Sequence, residues 1–330
     1  MKCVEELYSQ QPPENTQYCW NRLEYRPLEG FVLAVSPFNF TAIGGNLAGA
    51  PALVGNVVIW KPSSAATYSN YIIHRILLEA GLPPSVIQFV PGPPADVVAT
   101  ALGHREFAGL HFTGSTKVFR GLWKEIGDKV GQGAYKSYPR VVGETGGKNW
   151  HLVHQSADVR NAVMQSVRSA FEYQGQSTSS VLPSRILGPE NIDRSEVLST
   201  FKTLCSLVSV APVQTDAFGG DCENQSWSFG ELGKLHGSSN VSPRRWSLSQ
   251  STRLITHSGK PAFEKITGYI AKAKQEGGEI LCGGNADDST GYFVQPTIIQ
   301  TRDPRSITMR EEIFGPVMTV SEPYNTQRLN

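Results

Sequence analysis

One carboxylate, Glu144, closes the apolar run Val141-Val142-Gly143 and is followed at once by Thr145-Gly146-Gly147. A glutamate at a strand end is placed to act as general base on a substrate water, because the glycines beyond it let backbone and ligand approach closely. The same stretch also fits an ordinary solvated glutamate, and Glu-Thr-Gly-Gly alone does not separate the two. Three more clusters stand apart from their surroundings: Pro37-Phe38-Asn39-Phe40, Phe112-Thr113-Gly114-Ser115 and Glu311-Glu312-Ile313-Phe314-Gly315-Pro316. His151 and His154 suggest a metal, but strand positions three apart point to opposite faces, so hydrogen-bonded or solvated histidines are expected and no metal is assigned. The five cysteines, at 3, 19, 205, 222 and 282, are odd in number and lack paired spacing. That argues against a disulfide framework and against zinc, and for a reducing compartment.

The elements that must position these residues alternate along the chain. Phe31 to Ser36 reads as a strand buried on both faces, Thr41 to Leu53 as a helix, and Val57 to Trp60 as the next strand. A helix carrying Ile72, Ile73, Ile76 and Leu77 on one face then ends at Gly81. Strand Val86 to Val90, a short helix from Asp96, strand Leu110 to Phe112, a helix from Thr116 to about Val130 and strand Val141 to Gly143 repeat the pattern. Such alternation predicts an α/β fold with a doubly wound parallel sheet, whose ligands sit at the carboxyl ends of the strands, where every cluster so far falls. A helix capped by Ser156 or Asp158 buries Val159, Ala162, Val163, Val167, Ala170 and Phe171, and a later one buries Phe263, Ile266, Ile270 and Ala273 before Gly277-Gly278. Tyr292 to Thr301 reads as strand.

With 330 residues, 39% hydrophobic and 18% charged, the chain can bury a real core and exceeds one ordinary domain, so two are expected. A formal net charge of +1 gives no electrostatic footprint for nucleic acid or an anionic membrane, which leaves a small molecule as partner. Met1-Lys2-Cys3-Val4-Glu5-Glu6 resembles neither a secretion signal nor a transit peptide, and no apolar run is long enough to cross a bilayer.

The four clusters together resemble the aldehyde dehydrogenase superfamily. Arg26-Pro27-Leu28-Glu29-Gly30-Phe31, the run from Ser36 to Leu53 and Phe171-Glu172-Tyr173-Gln174-Gly175-Gln176 narrow the likeness to its delta-1-pyrroline-5-carboxylate dehydrogenase branch, from about residue 22 to 176 and again from about 256 to 318. The resemblance implies NAD-dependent oxidation of L-glutamate γ-semialdehyde to L-glutamate in proline catabolism, in a homo-oligomer of the mitochondrial matrix. It divides the chain into a polar segment 1–25, an NAD-binding domain 26–150 and an incomplete catalytic domain 151–330 with an irregular insertion at 205–255.

Residue by residue, the resemblance implies that the Asn39 amide holds the developing oxyanion and that Phe38 lines the aldehyde entrance. Lys61 and Ser64 would hold the adenosine ribose, Gly114 and Ser115 approach the pyrophosphate, Glu312 bind the nicotinamide ribose and Phe314 lie against the ring. Glu144 would activate the hydrolytic water. Blander readings stand beside these: Asn39 as a cap of the following helix, Phe38 as core, Glu311-Glu312 as a solvated pair. The small Ser64 leaves NAD over NADP resting on resemblance alone.

The sequence also departs from the family. Where the nucleophilic cysteine is expected two places beyond Gln176, this chain reads Ser177-Thr178-Ser179-Ser180; Thr178 holds the position, with a hydroxyl far less nucleophilic than a thiolate. Cys205 falls on a helical face with Leu198, Phe201 and Val208 and reads as core. The 32 residues from Asp221 to Thr252 include eight serines, a composition poorly suited to a core. The family continues on both sides of the chain, including the strand used for subunit pairing, so the face of Phe263 and Ile266 is expected to lack cover. Besides an impaired enzyme, a non-catalytic NAD-binding remnant and the product of a disrupted gene fit these departures.

Overall fold

Phe31–Val35 (β1) alternates as a pleated strand must: Leu33 is buried on one face with Phe31 and Val35 beside it, and Ala34 on the other. A strand buried on both faces belongs inside a parallel sheet, and β1 is its centre. The structure, a computed structural model, describes residues 2–153, 156–171, 185–187, 259–289 and 291–321. It divides into two compact units, Met1–Gly147 and Lys148–Asn330.

In the first unit β1 pairs in parallel with Val57–Lys61 (β2) and Phe107–Thr113 (β4), and the sheet is completed by Ile87–Phe89 (β3) and Arg140–Glu144 (β5) in the order β3-β2-β1-β4-β5. Helices Thr41–Leu53 (α2) and Thr67–Glu79 (α3) cover one face, where Leu47, Ala48, Ile73 and Leu77 meet Ala34, Val58 and Trp60. Helices Pro94–Gly103 (α4) and Thr116–Gly131 (α5) cover the other, where Leu102, Phe119, Leu122 and Ile126 meet Leu33, Leu110 and Phe112. Strands are added outward from β1 through β2 to β3, and the chain then returns to the far side of β1 for β4 and β5. The reversal opens a crevice beyond the carboxyl ends of β1 and β4.

Two local features tie this frame together. Pro51 sits inside α2 and has no N–H, so the Leu47 carbonyl one turn back lacks its helical donor. The Nδ1 of His111, on β4, lies 3.0 Å from that carbonyl; since a carbonyl only accepts, the ring donates from Nδ1 and α2 is pinned to β4. At the strand ends, the buried Trp60 indole donates to Ser36 Oγ at 3.0 Å, and the Ser36 amide donates to the Lys61 carbonyl at 3.1 Å. The β1–β2 ladder thus runs one step past β1 before Pro37 ends it.

The second unit holds a sheet in the order β6-β7-β12-β11-β8, formed by His151–Leu152 (β6), Arg185–Leu187 (β7), Val317–Ser321 (β12), Thr297–Thr301 (β11) and Glu279–Cys282 (β8). All pairs are parallel except the edge strand β8 against β11. Val159–Phe171 (α6) packs Val163, Val167, Ala170 and Phe171 on Ile298 and Met318, and Lys260–Gln275 (α7) packs Ile266 and Ile270 on Ile299, Ile313 and Val317. Asp158 caps α6, accepting the Asn161 amide at 2.8 Å.

Several expectations change. Residues 1–25 are surface-exposed, but they contain the helix Lys2–Ser9 (α1) and a bridge between Thr16 and Cys19. The buried side of α3 carries Asn70, Ile73 and Leu77, while Ile72 and Ile76 are 39% and 54% exposed. Four isoleucines and leucines cannot all face inward when Asn70 sets the stripe by packing over Gly44. Strand β4 begins at Phe107, and the stretch from Tyr292 to Thr301 splits into Phe293–Val294 (β10), paired with Ala286–Asp287 (β9), and β11. Phe263 and Ile266 do not form a bare face: Ile266 is fully buried and Phe263 is packed against the same core cluster.

Candidate functional site

Along the carboxyl edge of the first sheet, register puts the singled-out residues in neighbouring positions. Val35 is level with Lys61 on one side and Phe112 on the other, and Thr113 is level with Glu144. Asn39, Lys61, Ser64, Gly114, Ser115 and Glu144 therefore leave adjacent strands at the same edge. Phe38 and Asn39 are half-buried in the turn between β1 and α2. The N-cap position of α2 is Phe40, whose side chain makes no capping hydrogen bond.

Lys61 is the unusual group. Its side chain is only 2% exposed, its Nζ donates to the Pro62 carbonyl, and its pKa is lowered by burial. Burying an ammonium beside one carbonyl leaves donors to be met by an oxygen-rich ligand. Beside it Ser64 is exposed at the start of the short 3₁₀ turn Ser64–Ala66. Ser115 is the N-cap of α5, and its Oγ accepts the Val118 amide at 3.3 Å. A hydroxyl that accepts in this way keeps its own proton to donate outward, next to the positive end of a sixteen-residue helix.

Glu144 is exposed at the end of the edge strand β5, and its carbonyl accepts the Gly114 amide at 3.1 Å, joining the β4 and β5 turns. Gly143 permits this arrangement: a Cβ there would lie 2.2 Å from the Phe119 ring. That ring stacks on Phe112 at 5.5 Å between centroids, so α5 lies directly against the strand that delivers Glu144.

In the second unit, residues 311–316 form a tightly specified turn. Phe314 has φ of 60°, the one non-glycine residue in the left-handed region among the described residues, at a cost of about 1–2 kcal/mol. Ile313 is buried against Ile266 and Ile270, and a Cβ on Gly315 would lie 2.4 Å from Ile266 Cδ1. Glu311 is not a freely solvated carboxylate, because Tyr269 donates to its Oε2 at 2.6 Å. Glu312 and Phe314 are half-buried.

The four residues Thr178, Gln176, Cys205 and His154, and the segments 177–183 and 205–255, lie outside the described residues. His151 Nδ1 is 2.8 Å from Ser166 Oγ, the hydrogen-bonded state expected of it. Among the described residues no group of three or more His, Cys, Asp or Glu could hold a metal, and no helix is long and apolar enough to cross a membrane. Sequence reasoning passed over Ser36, Trp60, His111 and Tyr269. Only Pro51 inside an otherwise helical run gave a signal, since it marks a carbonyl in need of a donor.

A sequence profile of the aldehyde dehydrogenase family matches residues 1–218 and 246–327. The chain is 54% identical over 316 residues to delta-1-pyrroline-5-carboxylate dehydrogenase of Agaricus bisporus, covering 96% of this chain and 51% of that protein. It is 40% identical over 323 residues to the mitochondrial enzyme of that name from Homo sapiens, covering 97% and 50%. The structure of the Mycobacterium tuberculosis delta-pyrroline-5-carboxylate dehydrogenase bound with NAD superposes with a TM-score of 0.77 at 35% identity, over 98% of this chain and 52% of that one. The chain thus spans about half the length of the relatives it matches. The profile match over most of its length, with the strand-end clusters at the carboxyl edge of a doubly wound sheet, makes this chain a member of the aldehyde dehydrogenase family.

Proposed function

We propose that the chain binds NAD at the carboxyl edge of its first sheet and belongs to the enzymes that oxidise L-glutamate γ-semialdehyde to L-glutamate. The observation that carries this is Lys61, a buried cation with one carbonyl partner at a strand end, one strand from the crevice between β1 and β4. In this reading Lys61 and Ser64 hold the adenosine ribose, and Gly114 and the Ser115 hydroxyl approach the pyrophosphate. Glu312 holds the nicotinamide ribose, with Phe314 against the ring. The nicotinamide, when bound, supplies the hydride acceptor. The Asn39 amide stabilises the oxyanion formed on the aldehyde, a contribution of about 3 kcal/mol for one such donor. Phe38 lines the aldehyde's path and Glu144 activates the water that completes the oxidation. NAD in a related structure and the names of the relatives support cofactor and substrate, and their mitochondrial names support a matrix location.

A second reading, an NAD-binding chain without turnover, is favoured by one sequence fact: Ser177-Thr178 follow Gly175-Gln176 where the covalent mechanism needs a thiol. Calorimetric titration of NAD into the full chain tests what both readings share. A Lys61→Ala, Ser115→Ala double variant should bind at least tenfold more weakly, and unchanged affinity would remove these residues from the site. Formation of NADH from glutamate semialdehyde then separates the two.

A further inference from the structure

Helix α7 grips the segment 307–316 along one side. Ile266 lies against Gly315, Tyr269 donates to Glu311 Oε2 at 2.6 Å, and Glu276, just past the helix, accepts the Ile307 amide at 2.8 Å. Ile266, Tyr269, Ile270 and Ala273 recur at three- and four-residue spacing, so one helix face makes these contacts. Glu311 and Ile313 are thereby fixed on either side of Glu312, and the backbone at Glu311 is extended, with φ −101° and ψ 147°. Extended backbone turns the side chains of Glu311 and Glu312 to opposite sides of the chain, and the Glu312 charge still reaches Tyr269.

We propose that Tyr269 is a positioning residue for NAD: its phenol holds the Glu311 carboxylate against α7, which fixes the turn through Phe314 and presents Glu312 to the nicotinamide ribose. The inference rests on the proposed role of Glu312. A phenylalanine would fill the same space, but it could not make the short hydroxyl-to-carboxylate bond that selects one arrangement of the turn. The phenol keeps its proton throughout the neutral range, since burial first, then Glu311 and Glu312, push its pKa up to about 12. The Lys265 ammonium lies 5.9 Å from the Tyr269 ring centroid. Phe314, at φ 60°, is the residue most dependent on this support, because its conformation is unfavourable without it.

The test uses the full chain, NAD titration by calorimetry, and hydrogen exchange of amides 311–316. Tyr269→Phe should bind NAD about fivefold more weakly, with faster exchange in that segment. In the Glu312→Gln background Tyr269→Phe should weaken NAD no further, because the phenol acts only through that glutamate; a merely structural role would give additive losses. Wild-type affinity or unchanged exchange in Tyr269→Phe overturns the proposal, and so do losses that add. If Glu312→Gln leaves affinity unchanged while Lys61→Met lowers it, Tyr269 loses its role but the dinucleotide site of the first unit stands. If no variant changes affinity, both fall together.

Discussion

Replacing Lys61 with methionine separates a lysine kept for a ligand from one kept for the fold. The side chain is 2% exposed and of similar volume to methionine, so packing is preserved and only the ammonium is removed. Two terms then oppose one another. The buried Pro62 carbonyl loses its donor, which costs about 1–3 kcal/mol, while the desolvation penalty of the ammonium, several kcal/mol, is relieved. Without NAD the variant should therefore be as stable as the wild type or slightly more so. With NAD it should lose a charge-assisted hydrogen bond of about 1.5–3 kcal/mol, a roughly 10- to 150-fold weaker Kd.

Thermal unfolding with and without NAD reads both effects. At a concentration of about 100 Kd for the wild type, NAD should stabilise it by about 2.7 kcal/mol, and a variant with a 30-fold weaker Kd by only about 0.9 kcal/mol. A pH series adds an independent check. Burial lowers the Lys61 pKa from 10.5, so the folded state is penalised while the amine is charged, and stability recovers as pH rises through the folded pKa toward 10.5. Lys61→Met should lack that alkaline recovery. A variant that unfolds several degrees earlier yet gains as much from NAD as the wild type would show that the lysine serves the fold, and the reasoning here would be refuted.

Burial also lowers the His111 pKa below its ordinary 6.5, so its contribution is complete above pH 6.5 and should be lost as pH falls from there toward the folded value. His111→Leu should flatten that acid limb and cost about 1–3 kcal/mol in urea unfolding for the carbonyl that Pro51 leaves without a donor. Gly143→Ala should destabilise by about 1–3 kcal/mol through displacement of the Phe119 ring, measured by the same unfolding; a neutral result would mean that α5 yields freely. On the reading without turnover, which the missing thiol favours, an NADH absorbance assay with glutamate semialdehyde should show no product from this chain and none from Thr178→Cys. Loss of a covalent nucleophile costs on the order of 10⁴–10⁶ in rate, and a thiol restored into an altered 177–183 segment need not reach Asn39 or Glu144. Turnover abolished by Glu144→Gln would contradict that expectation.

Where strands begin and end, and which residues follow them, was legible because both are local properties. A largely apolar run of four to six residues before Ser-Pro, Lys-Pro or Thr-Gly marks the carboxyl end of a buried parallel strand, and β1, β2 and β4 end within one residue of those runs. The periodic faces of α6 and α7 were legible for the same reason. Helix α3 shows the limit: its isoleucines occupy more than one face, and only the neighbouring Gly44 decides that Asn70, Ile73 and Leu77 turn inward.

The sequence by itself thus determined the α/β alternation, the family, and the collection of Asn39, Lys61, Ser64, Gly114, Ser115 and Glu144 at strand ends. Tertiary structure alone decided their surroundings: that Lys61 is desolvated, that Glu144 stands on an exposed edge strand, and that Glu311 is already engaged. The donors that decide such matters come from far along the chain, His111 reaching a carbonyl 64 positions away and Tyr269 a carboxylate 42 positions away. Periodicity and motif spacing report what a residue's neighbours in sequence require of it. The partner that meets a freed carbonyl or a buried charge is fixed only when the layers pack.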